Sequence, residues 1–133
     1  MIRIILVMHE PLGAALVSCA RHVLGQEPEL TLFDIKPTDT PEKRLPDILA
    51  AVCAAPPAQT LMLADIYGAT PYNTARKALD MARSQGYDVE LLTGANLCMV
   101  LKALTGPRDD FRALVRSVRA SAERGIVRAG EAP

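Results

Sequence analysis

Two polar residues in this sequence each follow an apolar run with the length and composition of a buried strand. His9 comes directly after residues 2–8, and Asp65 follows residues 60–64. If these strands are neighbours in a parallel sheet, the imidazole and the carboxylate emerge side by side at its carboxyl edge, where ligands gather in open α/β folds. A neutral imidazole is a good nucleophile near neutral pH. An aspartate bonded to its ring fixes the tautomer and stabilises positive charge. The pair therefore indicates phosphoryl transfer through a phosphohistidine.

A phosphohistidine needs hydrogen-bond donors for three anionic oxygens, and helix N-termini provide them through free N–H groups and the helix dipole. Three helix starts are predicted near this edge: after His9, at Thr70 and after Asn96. We expect Gly68, Ala69, Thr70 and Asn96 to take part in phosphate binding. Thr70 and Asn96 are also candidate helix N-caps, and Gly68 is a candidate for a tight turn. No Walker loop is present, and the pattern predicts no metal and no cofactor.

The elements that position these residues alternate between strand and helix patterns. Strands are predicted at residues 2–8, 30–34, 60–64 and 89–93, with one last short strand at 125–127. Helices are predicted at residues 12–24, from Thr40-Pro41, from Thr70-Pro71, after Asn96, and after Asp109 or Asp110. This alternation predicts an α/β fold with a doubly wound, mainly parallel sheet. Strand order 2-1-3-4 places the first and third strands together, and a crevice opens between their carboxyl ends.

The first helix carries a continuous apolar face, which predicts burial of that face against the sheet. The face consists of Leu12, Ala15, Leu16, Cys19 and Val23. The chain has three cysteines, far apart in sequence and in no paired motif, which indicates free, buried thiols in a reducing compartment.

Composition limits the class of protein. The chain has 133 residues, half of them apolar, with 15 basic and 15 acidic residues. This length fits a single domain, predicted over residues 1–128, and residues 129–133 are predicted to be a disordered tail. The balanced charge gives no basic face for nucleic acid. The apolar runs are too short to span a membrane and no signal peptide is evident, so we expect a cytoplasmic protein.

Taken together, these motifs resemble the enzyme IIA component of the mannose-type (mannose/fructose/sorbose) sugar phosphotransferase system. The resemblance extends from Ile2 to about Val127. Four stretches in the family order carry it: Met8–Gly13, Asp65–Asn73, Gly94–Met99 and Glu123–Val127.

The resemblance implies that His9 accepts phosphate from the histidine phosphocarrier protein and passes it to a IIB partner. It also implies that Asp65 is the carboxylate bonded to His9. The family fold has a short antiparallel edge strand that is exchanged between the subunits of a homodimer, and residues 125–129 would be that strand here. Four positions depart from the family pattern. Glu10 replaces a common Gly, Ala69-Thr70 replaces Gly-Ser, and Cys98 replaces Pro.

Other functions fit parts of the same pattern. No IIB domain or linker follows in the sequence, so a free-standing regulatory module, whose phosphorylation state controls the binding of a regulatory protein, is one alternative. The phosphotransfer subunit of the dihydroxyacetone kinase system shares the fold, but its histidine motif has one more residue before the following Leu. A receiver domain phosphorylated on aspartate would need an acidic pair after the first strand to hold magnesium. The chain has His9-Glu10 there instead.

Overall fold

The computed structural model describes residues 1–131, in which strands and helices alternate. The strands are β1 (Ile2–His9), β2 (Thr31–Ile35), β3 (Gln59–Ala64) and β4 (Val89–Leu92). The helices are α1 (Leu12–Leu24), α2 (Pro41–Val52), α3 (Thr70–Ser84), α4 (Leu97–Thr105) and α5 (Phe111–Arg124). The four main predicted strands and all five predicted helices are therefore present, within one or two residues of the expected bounds. None of the described helices combines the length and the apolar composition needed to cross a membrane.

The four strands form one all-parallel sheet in the order β2-β1-β3-β4, as the sequence predicts. The register pairs Val7 of β1 with Ala64 of β3, and His9 of β1 with Ile35 of β2. β1 thus lies in the middle of the sheet. Its last residue projects to the carboxyl edge, next to the point where β3 ends.

Helices cover both faces of the sheet, and alternation along β1 sends its side chains to two separate cores. Ile4, Leu6 and Met8 pack in one core with residues of α1, α4 and α5. Ile5 and Val7 pack in the other core with residues of α2 and α3. Because both faces are covered, β1 and β3 are apolar at nearly every position, as expected for a buried parallel sheet.

The prediction for the buried face of α1 is wrong in its rotation about the helix axis. The helix buries Gly13, Leu16 and Ala20, whereas Leu12 is 38% exposed and Val23 is 56% exposed. Gly13 explains the rotation. A side chain at this position would collide with Leu32 and Asp34 of β2, so the glycine lets the helix backbone lie directly on the sheet. Larger apolar residues a quarter-turn away are left at the surface.

The predicted burial of the cysteines is also wrong at two positions. Cys19 and Cys98 are exposed, and Cys53 is half-buried. All three are free thiols in the structure. Cys19 is exposed because it shares the outward face of α1 with Leu12 and Val23.

Residues 125–127 form no strand within the described chain, and Ile126 is 85% exposed. The edge strand predicted there is not paired with the chain's own sheet, which leaves the outer edge of β4 without a partner in residues 1–131. Where the predicted tail begins, the Glu131 N–H donates to the carbonyl of Arg128 at 3.0 Å, which forms a turn. Residues 132–133 of that tail lie outside the described residues.

Candidate functional site

The ends of β1 and β3 place His9 and Asp65 in direct contact. The Asp65 Oδ2 atom lies 2.8 Å from the His9 Nδ1 atom and 2.8 Å from the His9 backbone nitrogen. The second carboxylate oxygen, Oδ1, accepts a hydrogen bond from the Ile66 N–H at 3.0 Å. One carboxylate therefore ties the ring, the end of β1 and the start of the β3–α3 loop together.

Burial differs sharply between the two partners. The imidazole of His9 is 47% exposed, whereas the side chain of Asp65 is 5% exposed. Burial raises the pKa of Asp65. The hydrogen bonds from the backbone and ring of His9, together with the Ile66 N–H, outweigh this effect and hold the pKa below its ordinary value. Asp65 is therefore ionised at neutral pH.

The charge on Asp65 decides the tautomer of the ring. An ionised carboxylate can only accept hydrogen bonds, so Nδ1 must hold the proton in this contact. In the neutral ring, the other nitrogen, Nε2, then carries a lone pair, and no group within residues 1–131 is hydrogen-bonded to it. The arrangement is that of an oriented nucleophile with a buried supporting charge.

His9 belongs to the α3 side of the sheet edge. In β1 it has the same alternation as Ile5 and Val7, which pack against residues of α2 and α3. The N-terminus of α3 lies five residues after Asp65 along the same edge. Of the three helix starts predicted to bind phosphate, only that of α3 is therefore on the side of the sheet to which the imidazole points.

The N-terminus of α1 is already occupied by a carboxylate that the sequence analysis did not single out. Asp34 of β2 accepts from the N–H groups of Gly13 at 2.9 Å and Ala14 at 3.0 Å. The sequence did hold a signal for this cap: an aspartate near the end of β2, in a strand order that places β2 beside β1. Because Asp34 uses these donors, the prediction that the helix after His9 offers them to phosphate is wrong.

Asn96 likewise satisfies its own helix. Its side-chain oxygen accepts from the Met99 N–H at 3.0 Å, as expected for the N-cap of α4. The loop before α4 is tied to the site by the Ala95 N–H, which donates to the carbonyl of Ala64 at 3.0 Å. Asn96 is thus at the correct edge, with only its amide N–H₂ group free to donate elsewhere.

The N-terminus of α3 differs, because no side chain caps it. Its N-cap is Ala69, not Thr70 as predicted, and Thr70 is the first helical residue. Within residues 1–131, the N–H groups of Thr70 and Tyr72 have no hydrogen-bond acceptor, and neither has the Thr70 hydroxyl. The absence of a cap leaves donors open to solvent at this helix start.

The two other candidate residues lie in the loop that leads to α3. Gly68 has a φ of +84°, with open space where a side chain would be. Its carbonyl accepts from the side-chain amide of Asn73 at 3.1 Å. The Ala69 N–H is already bonded to the carbonyl of Ile66 at 3.4 Å. Gly68 therefore makes the predicted tight turn, and Ala69 contributes its backbone to the loop.

Comparison with known proteins agrees with this geometry. Residues 3–118 match the family model described as the PTS system fructose IIA component, of the EIIA-man type. The chain belongs to the mannose-type enzyme IIA family. Membership implies a phosphocarrier role in a sugar phosphotransferase system. No curated protein matches the chain.

Solved structures share the fold of this IIA chain. The phosphotransferase system component EIIA from Streptococcus agalactiae superposes with a TM-score of 0.84 at 22% identity, covering 96% of this chain and 97% of that one. The mannose/sorbose specific IIA subunit from Enterococcus faecalis has a TM-score of 0.83 at 20% identity, covering 98% and 96%. A PTS IIA protein associated with the fucose utilization operon of Streptococcus pneumoniae has a TM-score of 0.72 at 14% identity, covering 95% and 96%. At these identities the likeness shows the fold alone.

The residues at which this IIA chain departs from the family pattern leave the contact between His9 and Asp65 intact. Glu10 is exposed, and its N–H donates to the carbonyl of Ile35 at 3.0 Å. Cys98 lies in the first turn of α4, whose cap at Asn96 is formed. Within residues 1–131, no group of three or more His, Cys, Asp or Glu side chains is placed to bind a metal ion.

Proposed function

We propose that this protein is a phosphoryl carrier of a phosphoenolpyruvate-dependent sugar phosphotransferase system. His9 accepts the phosphoryl group from the histidine phosphocarrier protein and passes it to a IIB partner. One observation carries the proposal: a half-exposed imidazole whose Nδ1 atom is bonded to a buried, ionised Asp65. The reaction takes place in the cytoplasm, on a single domain over residues 1–128.

The transfer step follows from the tautomer. The lone pair of His9 Nε2 attacks the phosphorus atom, and the bond between phosphorus and the donor's ring nitrogen breaks as the new P–N bond forms. The Nδ1 proton stays in its hydrogen bond to Asp65. The carboxylate stabilises the positive charge that develops on the ring, as in other His–Asp pairs. Transfer to the IIB partner is the same exchange in reverse, with a nucleophile of the partner attacking.

The phosphate of the intermediate is bound at the N-terminus of α3. Its uncapped N–H groups and the hydroxyl of Thr70 supply donors, and the positive end of the helix dipole favours the anion. Gly68 shapes this turn and Ala69 provides its backbone, while the free amide group of Asn96 adds a donor from the neighbouring loop. The α1 start takes no part, because Asp34 occupies it.

The labelling experiment uses the two histidines of the chain as a matched pair. Wild-type protein is incubated with labelled phosphoenolpyruvate, the general enzyme of the system and the histidine phosphocarrier protein. We expect an acid-labile label, retained in His22→Ala and absent from His9→Ala. Transfer of the label from His9 to an added IIB domain tests the second step. Label that persists in His9→Ala would eliminate the assignment.

We also infer that the protein works as a homodimer in which residues 125–129 pair antiparallel with β4 of the partner subunit. Two features support this. The outer edge of β4 is free in the described chain, and a largely apolar groove of about 350 Å³ runs beside it. Leu91, Leu92 and Met99 line the groove, together with the ion-paired Arg119 and Glu123. Ile126 and Val127 are exposed, as expected for a segment whose partner is a second chain.

A further inference from the structure

A cleft of about 230 Å³ lies at the edge of the sheet where the strands begin, opposite to the edge that holds His9. Its apolar lining comes from the start of β1 and the last turns of α1 and α4, and consists of Ile2, Ile4, Leu24 and Leu104. At the rise of a parallel strand, Ile2 and His9 are about 23 Å apart along β1. The cleft is therefore separate from the site of phosphoryl transfer.

Arg108 supplies the positive charge of this cleft. Its Nη2 group donates to the carbonyl of Ala103 at 2.5 Å, and its Nη1 group donates to that of Gly106 at 3.5 Å. These bonds to the end of α4 hold the guanidinium in place. Within residues 1–131, Arg108 has no ion pair and its Nε–H has no acceptor. Donors of a fixed guanidinium are thus left for an anionic group.

The loop between α1 and β2 supplies the negative charge. Glu27 and Glu29 of this loop both line the cleft. Glu27 is already bonded to Arg21 by two hydrogen bonds. Glu29 is exposed and pairs with no cation in the part of the chain that the structure describes. The negative end of the α1 dipole, at Leu24, adds to this charge. The loop side of the cleft therefore attracts a cation.

Arg108 and Glu29 line one cleft without pairing with each other. A ligand that carries both an anion and a cation can pair with both residues at once. A carboxylate matches the planar guanidinium of Arg108, and an ammonium group matches the carboxylate of Glu29. The apolar lining favours an aliphatic body between or beside these groups. The volume is below the roughly 300–1,000 Å³ of sites for drug-sized ligands, so it suits a smaller molecule.

We propose that this cleft binds an amino acid with an aliphatic side chain. The ligand's carboxylate accepts hydrogen bonds from Arg108, its ammonium group donates to Glu29, and its side chain covers Ile2 and Leu104. The carrier would thus have a site for a small zwitterion in addition to the phosphoryl site. The inference does not depend on phosphoryl transfer at His9, because binding alone defines it.

Isothermal titration calorimetry with three related probes tests the chemistry of the ligand. L-Leucine should bind the full chain with a Kd below about 1 mM. Isocaproate lacks the ammonium group of leucine and isoamylamine lacks its carboxylate, so each should bind at least about tenfold more weakly. Isocaproate that binds as tightly as leucine would show a simple anion site and overturn the proposal. A lack of leucine binding at about 10 mM would overturn it as well.

Two variants test the charged residues of the cleft. Arg108→Gln and Glu29→Gln should each weaken leucine binding about tenfold or more. Arg116→Gln and Glu42→Gln are the matched controls, because both residues are exposed and neither lines the cleft, and their Kd should equal that of wild type. Arg108 also bonds to the end of α4, whereas the Glu29 side chain has no hydrogen bond within residues 1–131. Glu29→Gln is therefore decisive: an unchanged Kd in this variant would contradict the assignment.

The position of the ligand is tested at the other edge of the sheet. His9→Ala should bind leucine with the Kd of wild type, because the cleft lies at the start of β1 and not at its end. If this variant loses leucine binding, the amino acid occupies the phosphoryl site and the proposal is wrong.

Discussion

At the scale of single residues, the site depends on how many groups Asp65 binds. One oxygen accepts from both the backbone and the ring of His9, and the other accepts from Ile66. These bonds to a charged acceptor offset the cost of burying it. The result is a ring whose direction, tautomer and backbone are all set by one carboxylate.

Asp65→Asn should slow phosphoryl transfer strongly while keeping the size of the side chain. An amide has one accepting oxygen, so either the His9 groups or the Ile66 N–H would face an N–H₂ group and lose their acceptor. We expect a rate lower by about 10²–10⁴-fold, as for the loss of a supporting carboxylate in other His–Asp pairs. Single-turnover labelling from the phosphocarrier measures it. Asp80→Asn, an exposed carboxylate of α3, is the control and should leave the rate unchanged. An Asp65→Asn protein that transfers at the wild-type rate would refute the role.

The contact of His9 with Asp65 could be predicted because strand ends in a parallel sheet share one edge. Asp34 could not be assigned in the same way. It is also near a strand end, but its side chain turns to the α1 side of the sheet and caps that helix. Which carboxylate supports the ring and which caps a helix depends on strand register and side-chain alternation, and register is not visible in a single sequence.

At the scale of elements, the three helix starts near the site differ in how they are capped. Asp34 caps α1 from β2, and Asn96 caps α4 from its own N-cap position. The start of α3 has no side-chain cap. An uncapped start is less stable by itself, and its free donors are available to an anion.

Substitutions at the helix starts should show a loss of stability where a side chain caps the helix and little change where none does. Asn96→Ala should lower the free energy of unfolding by about 1 kcal/mol, because the Met99 N–H loses its acceptor. Asp110→Ala, at the N-cap of α5, should cost about the same. Thr70→Ala should change stability by less than about 0.5 kcal/mol, because its hydroxyl caps nothing. Urea unfolding measures all three. A Thr70→Ala loss as large as that of Asn96→Ala would contradict this description of α3.

The element bounds were predictable, but the rotation of α1 was not. Its apolar residues extend over more than one face, and the sequence pattern favours the face with the larger side chains. The structure buries the face with Gly13 and Ala20 instead, because small residues permit the closest approach to β2. The same limit applies to Thr70, where the Thr-Pro pattern that correctly placed the cap of α2 at Thr40 failed by one residue.

At the scale of the whole molecule, helices cover both faces of the sheet, whereas its edge strands have no further strand paired to them within residues 1–131. The outer edge of β4 offers unpaired backbone groups beside an apolar groove, within residues 1–131. Such an edge invites pairing with another chain, and proteins either protect it or use it. The exposed segment after α5 has the apolar residues needed to fill the groove in a second subunit.

Charges placed in the segment after α5 should therefore convert a dimer to a monomer. In the Ile126→Asp/Val127→Asp variant, two carboxylates would have to enter the groove beside the partner's β4. This burial is costly, because the groove is largely apolar and its Arg119 is already paired with Glu123. Sedimentation equilibrium of wild type should give twice the chain mass of 14.3 kDa, and the variant should give the chain mass itself. Val23→Asp, which alters an equally accessible apolar residue of α1, should remain dimeric. A monomeric wild type, or a variant that stays dimeric, would contradict strand exchange.

Labelling of His9 in the monomeric variant would then test whether the site is complete within one subunit. We expect the label to be retained, because His9 and Asp65 are in contact within a single chain.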